Sequence, residues 1–281
     1  MLIMLDGKKI AESIREEITS QVERLRQKDI IPKLAVVLAG NDPASVLYAQ
    51  AKGRACKKTG IDYQLFELPD ATPEKEMLDL IRSLNRDEAV HGIMIELPLP
   101  SGMNKKEVLQ AVSPLKDVDG VHPINRGLLL SGGDGLFPVT PQSCLEIIQR
   151  SGLTIAGKHA VLVGRGETVG KPLIFMMLNQ NATVTVCHTK TADLGYFTRQ
   201  ADIVVVAVGK PNTITADMVK PGAIIVDAGI NETDSGICGD VDFQQVQQVA
   251  GAISPVPGGV GSLTTALLQK NLLKAIELSG K

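Results

Sequence analysis

A short apolar run from His159 to Val163 opens directly into a turn with glycines at 164, 166 and 170; a helical stretch follows to about Gln180, then a second β-rich run from Ala182 to Cys187. No other feature limits the fold so far. Strand, glycine-rich turn, helix and strand make one βαβ unit, whose strands must lie parallel and whose helix must cross one face of the sheet. The G-x-G-x-x-x-G spacing between strand and helix is the setting a dinucleotide fingerprint requires. Glycines let the backbone turn tightly and approach a pyrophosphate, which backbone amides and the positive end of the helix dipole then hold. A tight strand-to-helix turn with no ligand would use the same glycines, so the turn alone leaves both uses open.

The rest of the chain repeats this alternation. Ile10, Ile14, Ile18, Val22 and Leu25 recur at steps of four and three and predict a helix after the Asp6-Gly7 turn. Lys33 to Ala39 reads as a strand, a Gly40-Asn41-Asp42-Pro43 turn leads into a helix ending near Gly60, and Ile61 to Leu68 reads as a second strand. Thr72-Pro73 is expected to cap the next helix, before a buried strand at Val90 to Ile95. From Leu97 to about Pro138 the expectation is a long loop with one helix near Lys105 to Val112. A helix from Thr140-Pro141 to Gly152, strands at Ile203 to Val208 and Ala223 to Val226, and a last helix over Thr264 to Leu278 complete the reading. Alternating elements of this kind predict an α/β fold built on parallel sheets.

At 281 residues with 44% hydrophobic content, the chain is near the size at which one core gives way to two domains. A net charge of -2 supplies no footprint for nucleic acid and points to a small-molecule partner. The N-terminal MLIMLDGKKIAESIREEI lacks the long apolar region and cleavage site of a signal peptide, and no apolar run is long enough to span a bilayer. The expectation is a cytoplasmic protein without a membrane partner. Cys56, Cys144, Cys187 and Cys238 are widely spaced, with no metal-ligand pattern, so no metal is expected.

Sites that prefer NAD carry a carboxylate at the end of the second strand for the ribose hydroxyl. Here that position reads Cys187-His188-Thr189-Lys190-Thr191, without an acid. Arg165, with Thr189 or Lys190, could instead donate charge-assisted hydrogen bonds to a 2′-phosphate, which favours NADP over NAD. The other reading is that Arg165 and Lys190 are simply solvated. Ser45, Tyr48 and Lys52 fall on the helix after the first long strand, and the four-residue step puts Tyr48 and Lys52 on one face. They could form a proton-transfer pair; a lysine on such a face is also often only solvated.

Taken with SVLYAQAK (45–52), IELPLP (95–100), KDVDG (116–120), VGRGETVGKP (163–172) and SPVPGGVGSLT (254–264), the chain resembles the bifunctional methylenetetrahydrofolate dehydrogenase/methenyltetrahydrofolate cyclohydrolase family. The motifs span nearly the whole chain in the family's order. The resemblance implies a Rossmann-like NAD(P)-binding domain over 140–263 and an α/β catalytic domain over 1–139 completed by the helix 264–281, with the active cleft between them. It implies NADP-dependent oxidation of 5,10-methylenetetrahydrofolate, hydrolysis of the methenyl product to 10-formyltetrahydrofolate, and a homodimer formed largely through the cofactor domains. Lys52 would act in proton transfer with Tyr48 beside it. Asp119 would grip the pterin, because a carboxylate can accept paired hydrogen bonds from an amino-substituted pyrimidine edge; Asp117 is read as turn chemistry before Gly120. Ile230 would join Gly164, Arg165, Gly166, Gly170, Thr189 and Lys190 at the cofactor, and Pro257, Gly258 and Gly259 would form a loop near nicotinamide and folate.

Four positions depart from the family pattern, the mildest being Thr189, which replaces a frequent serine and keeps the hydroxyl. Glu96 stands where the family usually has glutamine, Gly166 where it commonly has serine, and Ser262 where it commonly has proline. A carboxylate beside Lys52 favours its charged form and makes it a poorer base. Glu96 therefore raises the alternative of a dehydrogenase with weak or absent cyclohydrolase activity, unless Glu96 itself serves as the base. Shikimate-type dehydrogenases also pair a Rossmann domain with a lysine-bearing domain but do not call for the KDVDG and PGGVG loops. A non-catalytic folate or nucleotide binder is disfavoured by the presence of Tyr48, Lys52 and Asp119 together.

Overall fold

The computed structural model describes residues 2–234 and 236–280, so Met1 and Lys281 at the ends of the expected ranges lie outside the described residues. The chain starts with strand β1 (Ile3–Met4) and helix α1 (Gly7–Arg26), whose inward positions Ile14, Ile18 and Val22 are fully buried as their spacing requires. Strand β2 (Lys33–Ala39), helix α2 (Pro43–Thr59), strand β3 (Asp62–Leu68), helix α3 (Glu74–Arg86) and strand β4 (Gly92–Ile95) follow. These strands form a parallel sheet in the order β3-β2-β4. Met77, Leu78, Ile81 and Leu84 of α3 pack with Ala35, Val37, Ile93 and Ile95. Burying each large side chain contributes about 1.5–3 kcal/mol.

Two local expectations need correction. Thr72 does not cap α3: its amide donates to the carbonyl of Pro69 at 3.0 Å in a preceding turn, and Pro73 takes the capping position without a side-chain bond. The stretch 97–138 also holds two helices, α4 (Lys105–Ala111) and α5 (Pro123–Ser131), where one was expected. Its signals were present in Pro123 at the first helical position and Gly132, which ends the helix at φ 71°.

Helix α6 (Val139–Gln149) leads into the second sheet through β5 (His159–Val163), helix α7 (Gly170–Asn179), β6 (Thr183–Cys187), helix α8 (Leu194–Thr198), β7 (Ile203–Val206) and β8 (Ile224–Asp227) in chain order. A hairpin of β9 (Asn231–Thr233) and β10 (Gly236–Cys238), helix α9 (Phe243–Val246), strand β11 (Ala252–Ile253) and helix α10 (Thr264–Leu278) close the chain. The sheet runs β1-β11-β8-β7-β5-β6 with every pairing parallel. The order reverses at β5, with β6 on one side and β7 on the other. Strand β7 stops two residues earlier than expected because the amide of Val208 turns to Asp240 instead of the ladder.

Pro138–Thr264 and the chain up to Glu12 form one compact unit, and Ser13–Phe137 with the chain from Thr265 form the other. The first residues leave the 1–139 grouping expected from the motifs because β1 hydrogen-bonds to β11, with Ile3 opposite Ala252. Among the described residues, no helix is long and apolar enough to cross a membrane.

Candidate active site

Asp42 ends the turn after β2 and caps α2, accepting hydrogen bonds from the amide and the hydroxyl of Ser45, both at 2.8 Å. The Ser45 hydroxyl also lies 3.0 Å from the carbonyl of Leu97, so its one proton is shared between two acceptors. This ties the first turn of α2 to the segment just after β4. Lys52, two turns further along α2, then meets Glu96: Nζ lies 2.8 Å from Oε1 and 3.1 Å from Oε2. The two side chains are only 13% and 6% exposed, so the pair is held away from bulk water. Nζ also sits 5.8 Å from the centroid of the Tyr48 ring, and Tyr48 itself is exposed. The residues 48, 52 and 96 singled out in the sequence are thus brought together.

Asp119 joins this group through its charge. Asp117 is buried and accepts the amides of Val121 at 3.2 Å and His122 at 2.8 Å and the Asn125 side-chain amide at 3.0 Å, which fixes the turn that carries Asp119. The turn-forming role expected of Asp117 is the one it plays. Burial, and next the charge of Asp117, push the Asp119 carboxyl up to about 6, with Lys52 and Arg126 acting against the rise and Glu96 with it. Burial likewise raises Asp117 to about 6.

Two supports were not read from the sequence. Asn271 on α10 donates to the carbonyls of Val118 and Phe137, both at 2.8 Å, and a Cβ on Gly92 would come within 2.4 Å of Val118, so the turn presses against β4. Arg126 on α5 has a buried Nε with no hydrogen-bond partner among the described residues. Asn271 ends the polar run Gln269-Lys270-Asn271 and so carried no mark of its own, and nothing local marked Arg126.

In the other unit, Gly164 follows β5 at φ 117°, and a Cβ there would lie 2.3 Å from the carbonyl oxygen of Ala207. A Cβ on Gly170 would lie 2.3 Å from the carbonyl oxygen of Gly164. Both glycines are demanded by the turn itself. Gly166 differs: a Cβ there would meet nothing within 4 Å, so the backbone is bare toward open space, as close approach by a pyrophosphate needs. The N-terminus of α7 has no side-chain cap. Arg165, Thr189 and Lys190 are exposed, and β5 and β6 are neighbours, with Val163 opposite Cys187, so their following turns lie side by side. Ile230, also exposed, follows β8, and Pro257, Gly258 and Gly259 follow β11, at the carboxyl ends of the same sheet. Gly259 packs on the start of α1, where a Cβ on Gly7 would lie 2.0 Å from its carbonyl oxygen. Among the described residues, no group of three or more His, Cys, Asp or Glu is placed to hold a metal ion.

Comparison with known proteins bears on both units. The family model for the tetrahydrofolate dehydrogenase/cyclohydrolase catalytic domain matches residues 5–119, and that for the NAD(P)-binding domain matches residues 138–279. The chain is 65% identical to the bifunctional protein FolD of Pelotomaculum thermopropionicum, over all of this chain and 99% of that protein. The crystal structure of the bifunctional enzyme FolD, a methylenetetrahydrofolate dehydrogenase/cyclohydrolase from Campylobacter jejuni, superposes with a TM-score of 0.97 at 43% identity, covering 99% of this chain and 100% of that one. The Trypanosoma brucei enzyme solved with NADP cofactor and an inhibitor is 33% identical with a TM-score of 0.92, covering 100% and 99% of the two chains.

Proposed function

The chain belongs to the tetrahydrofolate dehydrogenase/cyclohydrolase family, and from that premise we propose how its residues divide the two reactions. It is a bifunctional enzyme that oxidises 5,10-methylenetetrahydrofolate to the methenyl compound and hydrolyses that to 10-formyltetrahydrofolate. The alternative of a dehydrogenase without the hydrolytic step is set aside; Glu96 bears on how that step is run. The observation that carries our assignment is the Lys52–Glu96 pair beside Tyr48 and Asp119.

Asp119 accepts hydrogen bonds from the amino-substituted edge of the pterin, with Arg126 steadying its charge, and Tyr48 lines the place where the one-carbon unit sits. The nicotinamide cofactor, when bound, accepts the hydride that leaves the one-carbon bridge. In hydrolysis, water adds to the methenyl carbon and gives up a proton, and the carbon–nitrogen bond breaks as the ring nitrogen takes a proton back. Lys52 moves these protons, and Glu96, accepting two hydrogen bonds from Nζ, aims that nitrogen. Pro257, Gly258 and Gly259 offer backbone to the nicotinamide and folate, and Ile230 packs on the cofactor.

The family domain binds NAD(P). Our finer reading is NADP, with the pyrophosphate over Gly166 and the 2′-phosphate taken by Arg165, Thr189 and Lys190. An assay of methylenetetrahydrofolate oxidation with each cofactor tests it: NADP should have the higher kcat/KM, and Arg165→Gln should lower that value about tenfold with NADP while leaving it within about twofold with NAD. Equal loss with both cofactors would sink the assignment. We also propose a cytoplasmic homodimer assembled largely through the cofactor domains, to be checked by sizing at twice the 29.9 kDa chain mass.

Replacing Glu96 with alanine removes both acceptors that aim Nζ of Lys52. The expected result is a fall of at least about tenfold in cyclohydrolase kcat, with dehydrogenase kcat within about threefold of the parent. Cyclohydrolase kcat within about twofold of the parent would show that Glu96 does not position Lys52.

The pH dependence of folate binding follows from Asp119. Its carboxyl is raised to about 6, so the ionised form is complete above that pH and is lost as pH falls through it. Dehydrogenase kcat/KM should therefore show an acid limb near pH 6, expressed in KM for the folate, and the limb should vanish in Asp119→Asn. A limb near the ordinary carboxylate value, or one that persists in the variant, contradicts the assignment.

A further inference from the structure

We infer that Asp240 is a positioning residue of the cofactor site: its carboxylate gathers the backbone amides of Val208, Gly209 and Lys210 and so presets the turn that lies against Gly164. The inference rests on the cofactor reading above. After β7, the amide of Ala207 still pairs with the carbonyl of Val163 at 2.9 Å, but the next three amides leave the sheet. Val208 and Gly209 donate to one oxygen of Asp240 at 2.6 and 3.0 Å, and Lys210 donates to the other at 2.9 Å. The side-chain amide of Asn231 adds a fourth donor at 2.9 Å. Successive amides converging on one point form the kind of concavity that binds anions, and here the anion is part of the chain.

Asp240 is fully buried, and four donors match the roughly four acceptor sites of a carboxylate. It has no capacity left for a ligand, so its effect must pass through the turn it holds. That turn is one wall of the crevice where the strand order reverses between β5 and β7, the place where open α/β sheets bind ligands. The missing Cβ of Gly164 would lie 2.3 Å from the carbonyl oxygen of Ala207 and 3.3 Å from Cγ1 of Val208, so a shift of the turn would displace the glycine-rich loop directly.

A second carboxylate holds Asp240 itself. Asp227, at the end of β8, accepts the amides of Gly229 at 2.9 Å, Asp240 at 3.0 Å and Val241 at 2.9 Å. The two acids interlock over glycines: a Cβ on Gly229 would lie 2.2 Å from Cγ of Asp240, and one on Gly239 would lie 1.9 Å from Oδ2 of Asp227. Burying two carboxylates is costly unless every acceptor is used, and apolar side chains could fill the same space more simply. What the acids add is a defined direction for seven donors drawn from three segments of chain.

The test measures NADP affinity by isothermal titration calorimetry and cyclohydrolase kcat on preformed methenyltetrahydrofolate, a step that consumes no cofactor, in Asp240→Asn and Asn231→Ala. The asparagine keeps one acceptor oxygen and turns an N–H toward an amide donor, so the Kd for NADP should rise about tenfold or more while cyclohydrolase kcat stays within about twofold. Asn231→Ala, which leaves the carboxylate and removes one donor, should raise Kd about threefold. A folded Asp240→Asn protein with parental NADP affinity overturns the inference, as does a parallel fall in both measurements, which would make the carboxylate a support of the fold alone. If circular dichroism shows Asp240→Asn unfolded, unchanged affinity in Asn231→Ala overturns it. A parent enzyme that binds neither NADP nor NAD would instead overturn the cofactor reading on which it rests.

Discussion

Lys52→Met should lower cyclohydrolase kcat by roughly 10³-fold while cofactor affinity stays at the parental value. Positioned proton transfer contributes about 10²–10⁴-fold to such reactions, and methionine keeps much of the lysine stem while removing the group that carries the proton. Dehydrogenase kcat should fall by less than about tenfold, because hydride transfer draws mainly on positioning. The substitution also strands Glu96, whose side chain is only 6% exposed and whose two oxygens both face Nζ. Removing one member of a buried ion pair costs about 3–5 kcal/mol, so thermal unfolding should move markedly downward. The double variant Lys52→Met/Glu96→Leu separates the effects: stability should recover and hydrolysis should not. A single variant that retains cyclohydrolase activity within tenfold of the parent would remove Lys52 from the chemistry.

Gly164→Ala should abolish measurable NADP binding and lower dehydrogenase kcat/KM by at least about 100-fold, equivalent to roughly 2.7 kcal/mol. Gly164 holds φ 117°, where an L side chain is strained by about 1–3 kcal/mol, and the added carbon would sit 2.3 Å from the Ala207 carbonyl oxygen. The turn must therefore move, and with it the contact between the glycine-rich loop and the segment after β7. Gly166→Ala is the matched control. Its Cβ meets nothing within 4 Å, so stability should stay within about 0.5 kcal/mol of the parent while NADP affinity still falls, because the methyl group occupies the bare approach to the backbone. Equal cofactor affinity in Gly166→Ala and the parent would show that the pyrophosphate does not approach there, leaving the glycines as turn formers only.

The alternation of strands and helices was legible where local pattern and burial agree. The strand Lys33–Ala39, the strand His159–Val163 and the helix Thr264–Leu278 occupy the residues their apolar spacing predicts. Legibility failed where a local signal had two readings. Thr72-Pro73 looks like a cap followed by the first helical residue, yet the helix begins at Glu74, one residue later, which leaves Pro73 at the cap. Pro123 and Gly132 bracket a real helix inside a stretch whose proline and glycine content reads as loop. The two-residue β1 and the β9–β10 hairpin are too short to show a period at all.

The candidate site divides along the same line. Tyr48 and Lys52 are one helical turn apart, and Gly164, Gly166 and Gly170 share one loop, so spacing alone placed each set on a common element. That Lys52 meets Glu96, 44 residues away, was an expectation from motif resemblance; the hydrogen bonds to both oxygens come from the pairing of β4 beside β2 and from the Ser45 link to Leu97. Asp227 and Asp240 carried no local mark, since nothing in VDAG (226–229) or GDVD (239–242) distinguishes a surface turn from a buried carboxylate that gathers backbone amides.

The sequence by itself determined the longer strands and helices, the βαβ unit with its glycine turn and the family. Each depends on periods and spacings within a few tens of residues, where backbone sterics and apolar patterning act directly. Only the tertiary structure decided that β1 joins the far edge of the second sheet, that Asn271 holds the turn before Asp119, and that Asp240 takes three amides from the end of β7. Those pairings are settled by which buried donors and acceptors can satisfy one another once the sheets have closed, and a buried polar group costs too much to be left unpaired.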